Sequence, residues 1–140
     1  PPFHTLQDSV DDLNAVLGAY ARGKAMAWAM EHKEDRKMIG RIELGHYEPA
    51  DARADVGYAM NRRYWGKGYA TEAIRRVVRF GFEVLNLNRI GAVVLPENIA
   101  SIRVLEKAGL TFEGVRREFA FMAGAYHDLH CYSILKREWK

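Results

Sequence analysis

The 140 residues predict one α/β (α+β) domain built as a mixed sheet flanked by helices. Three observations point there. Apolar residues recur at helical spacing in three segments, and they alternate or cluster as strand residues do in six others. The order is helix, three strands, helix, strand, helix, two strands. With 49% hydrophobic and 28% charged residues, the chain carries enough apolar mass to bury roughly two thirds of its unfolded surface.

Each element has its own signal. Asp8 or Ser9 opens a first helix in which Val10, Leu13, Leu17 and Tyr20 share a face, and Gly23 follows its end. Residues 25–31 alternate as a strand, with Met26, Trp28 and Met30 on one face. The polar turn 32–37 leads into a second strand, 38–47, whose apolar positions include Ile39, Ile42 and Leu44. Gly40 and Gly45 weaken that second strand. A polar loop, 48–53, precedes a strand at 54–60. A basic loop then enters a long helix, 69–84. There Ala70, Ala73, Ile74, Val77, Val78 and Phe82 line one face, with Glu72, Arg75, Arg76 and Arg79 on the other. Residues 90–95 form a nearly continuous apolar strand of the buried kind. A helix over 98–108 ends at Gly109 as its C-cap, and strands at 112–121 and 126–136 turn through Ala123-Gly124-Ala125.

Composition narrows the function classes. A net charge of +3 suits an anionic ligand but is too weak to argue for nucleic acid. The single cysteine, Cys131, allows no intrachain disulfide and suits a reducing cytoplasm; on a strand without a base nearby in sequence, it reads as an inert thiol. No apolar run approaches the ~18 residues of a membrane helix. The five histidines lack metal-ligand spacing, so no metal is expected.

The chemistry concentrates in Asn61-Arg62-Arg63-Tyr64-Trp65-Gly66-Lys67-Gly68-Tyr69-Ala70-Thr71-Glu72-Ala73, which joins a strand end to a helix start. Amides of a first helical turn point outward, and the helix dipole favours an anion there. Two glycines let the backbone curl toward that anion, and Arg62, Arg63 and Lys67 add positive charge. This is a phosphate site by its physics. A P-loop needs glycine at 61 and Ser or Thr at 68, where Asn61 and Gly68 stand; a dinucleotide fingerprint needs a third glycine where Thr71 stands.

Arg63-x-x-Gly66-x-Gly68 resembles the acyl-CoA signature of the GCN5-related N-acetyltransferases. The run Trp65-Gly66-Lys67-Gly68-Tyr69-Ala70-Thr71-Glu72-Ala73 is similar to the branch that includes the ribosomal-protein N-terminal acetyltransferases. Two further blocks agree in order: Glu97-Asn98-x-x-Ser101-x-Arg103-Val104-Leu105-Glu106-Lys107-x-Gly109 followed by Glu113-Gly114, and Asp128-x-x-x-Tyr132-Ser133-x-Leu135. The resemblance spans about residues 5–140.

It implies a mostly antiparallel sheet in which the strand ending at Met60 and the strand at 90–95 splay into a cleft. Acetyl-CoA (CoA) would bind there through backbone amides from Arg63 to Ala70, with Met60, Asn61, Arg62, Gly66, Lys67, Gly68 and Tyr69 in the site. The pantetheine arm would pair with the freed strand edge. Asn98 would reach that arm while also serving as helix N-cap, Ser101 would lie near the sulfur, and Lys107 or Arg103 would approach the 3′-phosphate.

The implied reaction moves acetyl directly to an amine in a ternary complex. A carboxylate or a water chain takes the amine proton, and an N–H near Met60 or Asn61 steadies the oxyanion. Ser101 or Tyr132 returns a proton to the thiolate. Where relatives can carry a carboxylate this chain has Ala120, so the base passes to Glu118, two residues earlier and expected on the same strand face, or to Asp55. His127 and His130 read as surface or turn residues. Family members usually begin with a strand and helix that wall the acceptor side, and this sequence enters after them. One acetyltransferase domain over residues 1–140 is expected, without that first strand and helix. The expected partners are acetyl-CoA and an amine acceptor, either a protein N-terminus or a small molecule, with no membrane and no direct nucleic acid; sheet edges offer a route to a homodimer. Two other functions compete. A CoA-binding module that has lost its base would bind without turnover, and a nucleotide-binding protein would prefer ATP with magnesium.

Overall fold

The computed structural model describes residues 25–140 with their side chains and, before them, the backbone of three strand segments, β1 (Phe3–Leu6), β2 (Leu13–Asn14) and β3 (Leu17–Arg22). Then follow β4 (Ala25–His32), β5 (Lys37–Glu48), β6 (Arg53–Met60), α1 (Tyr69–Glu83), β7 (Arg89–Val94), α2 (Ile99–Lys107), β8 (Thr111–Met122) and β9 (Ala125–Leu135). Among the described residues the sheet runs β1-β3-β4-β5-β6-β7-β9-β8, with β2 also on β4. Among the described residues only β6 and β7 pair in parallel, and the other pairings are antiparallel.

From β4 onward the elements arrive in the expected order. The first helix does not. Leu13 and Leu17–Arg22 are extended, with β3 pairing on β4 through Tyr20↔Ala27 and Arg22↔Ala25. A strand edge offers backbone partners that outweigh a helical period in the local sequence. Asp8, Ser9, Val10 and Gly23 lie outside the described residues.

The core forms between one face of the sheet and the two helices. Met26, Trp28 and Met30 of β4 are buried as their alternation predicts, and Trp28 meets Phe80 of α1 edge-on at 5.4 Å. Ala73, Ile74, Val77, Val78 and Phe82 are almost fully buried. On the helix's other side Arg75 and Arg79 are exposed, whereas Glu72 and Arg76 are half-buried. Arg75 Nη2 donates to the Lys107 carbonyl at 2.7 Å and ties α1 to the end of α2. The strand over Lys37–Glu48 is full length despite its glycines, because Gly40 answers a close approach. A Cβ there would collide with the Ala59 carbonyl and lie 2.8 Å from Met30 Cε. The other strand glycine, Gly45, flanks an irregularity in the β5–β6 ladder. β7 departs from the doubly buried expectation. Ile90, Ala92 and Val94 are buried, but Val93 is 48% exposed, since its face of the sheet carries no helix among the described residues. At the hairpin tip Ala123 and Gly124 both take positive φ (51° and 79°), the geometry of a two-residue primed turn.

The Gly40 contact generates a test. Gly40→Ala should lower unfolding stability by about 1–3 kcal/mol, because the neighbour in the way is backbone and cannot swing aside. Urea unfolding measures it; an unchanged midpoint would contradict the packing described.

Candidate active site

The site begins where a sheet stops being a sheet. β6 and β7 pair only through Arg53↔Arg89, Ala54↔Ile90 and Asp55↔Gly91. Beyond that point β7 stays with β9 (Val93↔Cys131, Val94↔His130), while β6 stays with β5. The Asn61 amide donates to the Ile39 carbonyl at 2.6 Å, so the backbone groups of Asn61 face β5. Alternation then aims those of Val56, Tyr58 and Met60 the other way; the Val56 amide still meets β7 at the last register pair, and beyond it the Tyr58 groups and the Met60 amide face the opening. Residues 56–60 present this edge over ~13 Å at ~3.3 Å per residue. Two cavities occupy the fork. One of about 250 Å³ lies between Val56-Gly57-Tyr58 and Ala92-Val93-Val94-Leu95. The other, about 350 Å³, continues from Tyr58 and Met60 to the glycine loop and the start of α1. Tyr58, Asn98 and Ser101 border both.

The loop at the mouth is held by its own side chains. Asn61 caps a short 3₁₀ turn, Arg62–Tyr64, by accepting the Arg63 amide on Oδ1 at 3.0 Å. Trp65 Nε1 donates to the Met60 carbonyl at 2.9 Å. Arg62 stacks over Trp65 at 5.1 Å, and Lys67 lies over Tyr64 at 5.8 Å. Gly66 (φ 76°) and Gly68 (φ 83°) sit in the left-handed region, with no atom within 4 Å of where a Cβ would stand. Their conformation favours glycine and keeps the space beside them open. The first backbone bond of α1 runs from the Glu72 amide to the Gly68 carbonyl at 3.1 Å, so the Ala70 and Thr71 amides have no acceptor within the helix.

These bonds narrow the sequence expectation. The amides of Arg63, Tyr64 and Trp65 already donate to Asn61 Oδ1, Asn61 O and Arg62 O. The amides of these three residues are therefore not available to an anion, and the expected run of donors is shortened to begin at Gly66 instead of Arg63. Asn61 likewise cannot supply the oxyanion donor, because its amide serves the sheet; Met60 faces the opening instead. Met60, Gly66, Gly68, Tyr69, Ala70, Asn98, Ser101, Arg103 and Lys107 all line the larger cavity. Asn61, Arg62, Arg63 and Lys67 surround its mouth without lining it.

The catalytic candidates separate. Ser101 lies in the cleft, its hydroxyl 2.9 Å from Tyr58 Oη. Burial raises the Tyr58 phenol above its ordinary pKa, with the Ser101 bond opposing. Asn98 is the N-cap of α2: its Oδ1 accepts the Ser101 amide at 3.1 Å, which leaves the NH2 half on a cavity-lining residue. Tyr132 is not brought there. It is buried beside Phe112 at 5.5 Å, borders neither cavity, and has its pKa raised by that burial and then by the Glu106 charge. Asp55 stands on the last pair before the fork opens, its Oδ2 3.1 Å from Nδ1 of His46. Glu118 does not share a face with Ala120 by simple alternation. The β8–β9 register shifts between Arg116 and Ala120, Glu118 takes φ 47°, and its amide donates to Asp128 Oδ1 at 2.7 Å. Lys107 sits at the end of α2, beside a shallow recess shared with Gly68, Thr71, Glu72 and Arg75.

Tyr58, Tyr64 and Trp65 line the cavity but were not assigned roles from sequence. Tyr58 carried a signal: it lies two residues from both Val56 and Met60, on the strand side that period two aims at the helices. Behind the fork, Arg89 of β7 holds Glu113 of β8 through two bonds of 2.7 and 2.6 Å. That pairing first, against some burial, keeps the Glu113 carboxyl below its usual range.

Comparisons with known proteins bear on this geometry. The family model described as an acetyltransferase (GNAT) domain matches residues 1–111. The chain is 34% identical over 138 residues to the uncharacterized N-acetyltransferase p20 of Bacillus licheniformis, covering 99% of this chain and 78% of that protein. The spermidine N-acetyltransferase of Vibrio cholerae, solved in complex with CoA and spermine, superposes with a TM-score of 0.76 at 26% identity, over 84% of this chain and 69% of that one. The ribosomal-protein-S5-alanine acetyltransferase of Vibrio fischeri gives 0.77 at 28% identity, over 83% of this chain and 64% of that one.

The Arg89–Glu113 pair sets a pH dependence. A carboxyl whose folded pKa is lowered stabilises the fold above its unfolded pKa and loses that contribution as pH falls through the folded value. Glu113→Gln should lower Tm at neutral pH, and the gap to the parent should close in acid once Glu113 is protonated. Thermal scans between about pH 2 and pH 7 check this; a pH-independent gap would refute it.

Proposed function

The chain belongs to the GNAT acetyltransferase family, whose enzymes use acetyl-CoA, and from that premise we propose that this N-acetyltransferase domain passes acetyl directly to a primary amine in the fork between β6 and β7. One observation carries the proposal: the edge of residues 56–60, released from pairing, ends at the glycine loop and the first turn of α1. A thioester arm and a diphosphate need that combination, an extended backbone partner followed by clustered amides.

The residues present fit the coenzyme. The amides of Gly66, Lys67, Gly68 and Ala70 would hold the diphosphate, with Arg62, Arg63 and Lys67 supplying screening charge at the mouth. The edge at Val56, Tyr58 and Met60 would pair with the arm, Asn98 Nδ2 would donate to it, and Lys107 and Arg103 would face the adenosine end. Bound acetyl-CoA supplies the activated acetyl thioester. An N–H on that edge, from Met60 or from Tyr58 before it, would steady negative charge on the acetyl oxygen. Ser101, backed by Tyr58, delivers the proton to the departing sulfur. Asp55 takes the amine proton, with His46 beside it as its exposed partner, because Asp55 stands where the fork opens while Glu118 is turned out in a bulge.

The acceptor class follows the relatives' chemistry in two directions, a polyamine or a protein N-terminal α-amine. A panel of spermidine, spermine and short N-terminal peptides, read as thiol release, distinguishes them. Ser101→Ala should lower kcat by about a hundredfold and leave CoA affinity within a few-fold, since the Asn98 cap to the residue 101 amide survives. Calorimetry showing CoA uptake without turnover of any amine would favour a binding module instead, and no uptake at all would end the proposal.

A further inference from the structure

The coenzyme loop is gripped from outside by a segment that no part of the proposed chemistry uses. α1 starts at Gly68, which has no side chain to cap it and sits at φ 83°. The position of that first turn is therefore set by other contacts. One comes from His32, at the end of β4 and 7% exposed, whose Nε2 lies 3.0 Å from Tyr69 Oη. The Asp35 amide donates to His32 Nδ1 at 3.0 Å. Asp35 Oδ2 also lies 3.4 Å from Nδ1; an amide N–H only donates, so the bond from the Asp35 amide fits the tautomer with its proton on Nε2, facing Tyr69 Oη.

The second contact comes from the same turn. Tyr64, in the 3₁₀ turn of the loop, donates its hydroxyl to Asp35 Oδ2 at 2.6 Å. The three rings stack around this join, with His32 to Tyr64 at 5.2 Å, His32 to Tyr69 at 5.3 Å and Tyr64 to Tyr69 at 6.2 Å. Tyr64 and Tyr69 line the cavity; His32 and Asp35 do not. So one four-residue connection, 33–36, and the histidine before it hold both halves of the glycine loop, one on each side of Gly66.

We propose that His32 and Asp35 are positioning residues that clamp Tyr69 and Tyr64, and thereby preset the amides of Gly66, Lys67, Gly68 and Ala70 for a diphosphate. The proposal rests on the coenzyme assignment of that loop. A loop fixed before binding loses less freedom when the anion arrives, so the clamp acts on affinity for the diphosphate and not on the chemistry of transfer.

Calorimetry with CoA and with pantetheine, which lacks the diphosphate, tests it on the full chain. His32→Phe and Asp35→Ala should each weaken CoA by roughly three- to tenfold, the scale of one hydrogen bond, while pantetheine stays within twofold of the parent. His32→Gln, whose amide can still donate to Tyr69 Oη, should recover most of the CoA affinity. Should His32→Phe fail to fold, Asp35→Ala on its exposed turn decides alone. CoA affinities within twofold of the parent in the variants would overturn the clamp. Equal losses for CoA and pantetheine would also overturn it, as they indicate general loosening. Failure of the parent chain itself to take up CoA would overturn the coenzyme assignment together with the clamp.

Discussion

Three residue pairs hold β6 and β7 together, and the fourth is missing. A parallel pair that stops at Asp55↔Gly91 leaves the Val56 carbonyl, both backbone groups of Tyr58 and the Met60 amide facing an opening, while the Met60 carbonyl accepts from Trp65. Unpaired backbone groups inside a sheet are costly unless water or a ligand completes them. The rest of the structure keeps the fork open. β7 is drawn aside by six register pairs with β9, β6 is bound along β5, and α2 inserts Asn98 and Ser101 beside the gap. An edge left by withheld pairing can complete its hydrogen bonds with any extended, amide-bearing chain, without needing specific side chains.

The helices make the fork permanent. α1 packs Ile74, Val77 and Val78 against the sheet, and Gly81 lets Ile90 approach so closely that a Cβ would stand 2.8 Å from Ile90 Cδ1. The strand that leaves the fork is thus fixed to the helix whose first turn lies at the fork's mouth. Arg75 joins that helix to the last carbonyl of α2. Packing and this hydrogen bond therefore connect the cleft to the loop. The exposed part of the molecule is different in kind: β8 is exposed along most of its length, and Phe119, Phe121 and Tyr126 at the hairpin end lie open to solvent.

The legibility of this site in the sequence was uneven, for physical reasons. Gly66-x-Gly68 before an amphipathic helix is a local motif, and positive φ at two glycines is a property that neighbours in the chain impose. Asn98 as a cap is equally local, three residues from the amide it satisfies. Tyr132 and Glu118 line neither cleft cavity, because their placement depends on distant partners. Tyr132 is buried by its pairing between β7 and β8, and Glu118 is displaced by a bulge that alternation does not announce. The helix expected near the N-terminus gave way at Leu13 and Leu17 for the same reason, since its spacing satisfied a helix but β4 offered an edge.

Taken alone, the residues determined the order of elements from β4 onward, the buried faces of β4 and α1, and the glycine-bearing basic loop at 61–69 that leads into α1. Each of these follows from periodicity or from conformations that a few adjacent residues enforce. Only the tertiary structure decided which amides of that loop remain available, which hydroxyl reaches the cleft, and that His32 and Asp35 hold the loop from a turn some thirty residues away. Hydrogen bonds between segments far apart in the chain exist only once loop closure and packing have brought those segments together, and no local pattern encodes their distances.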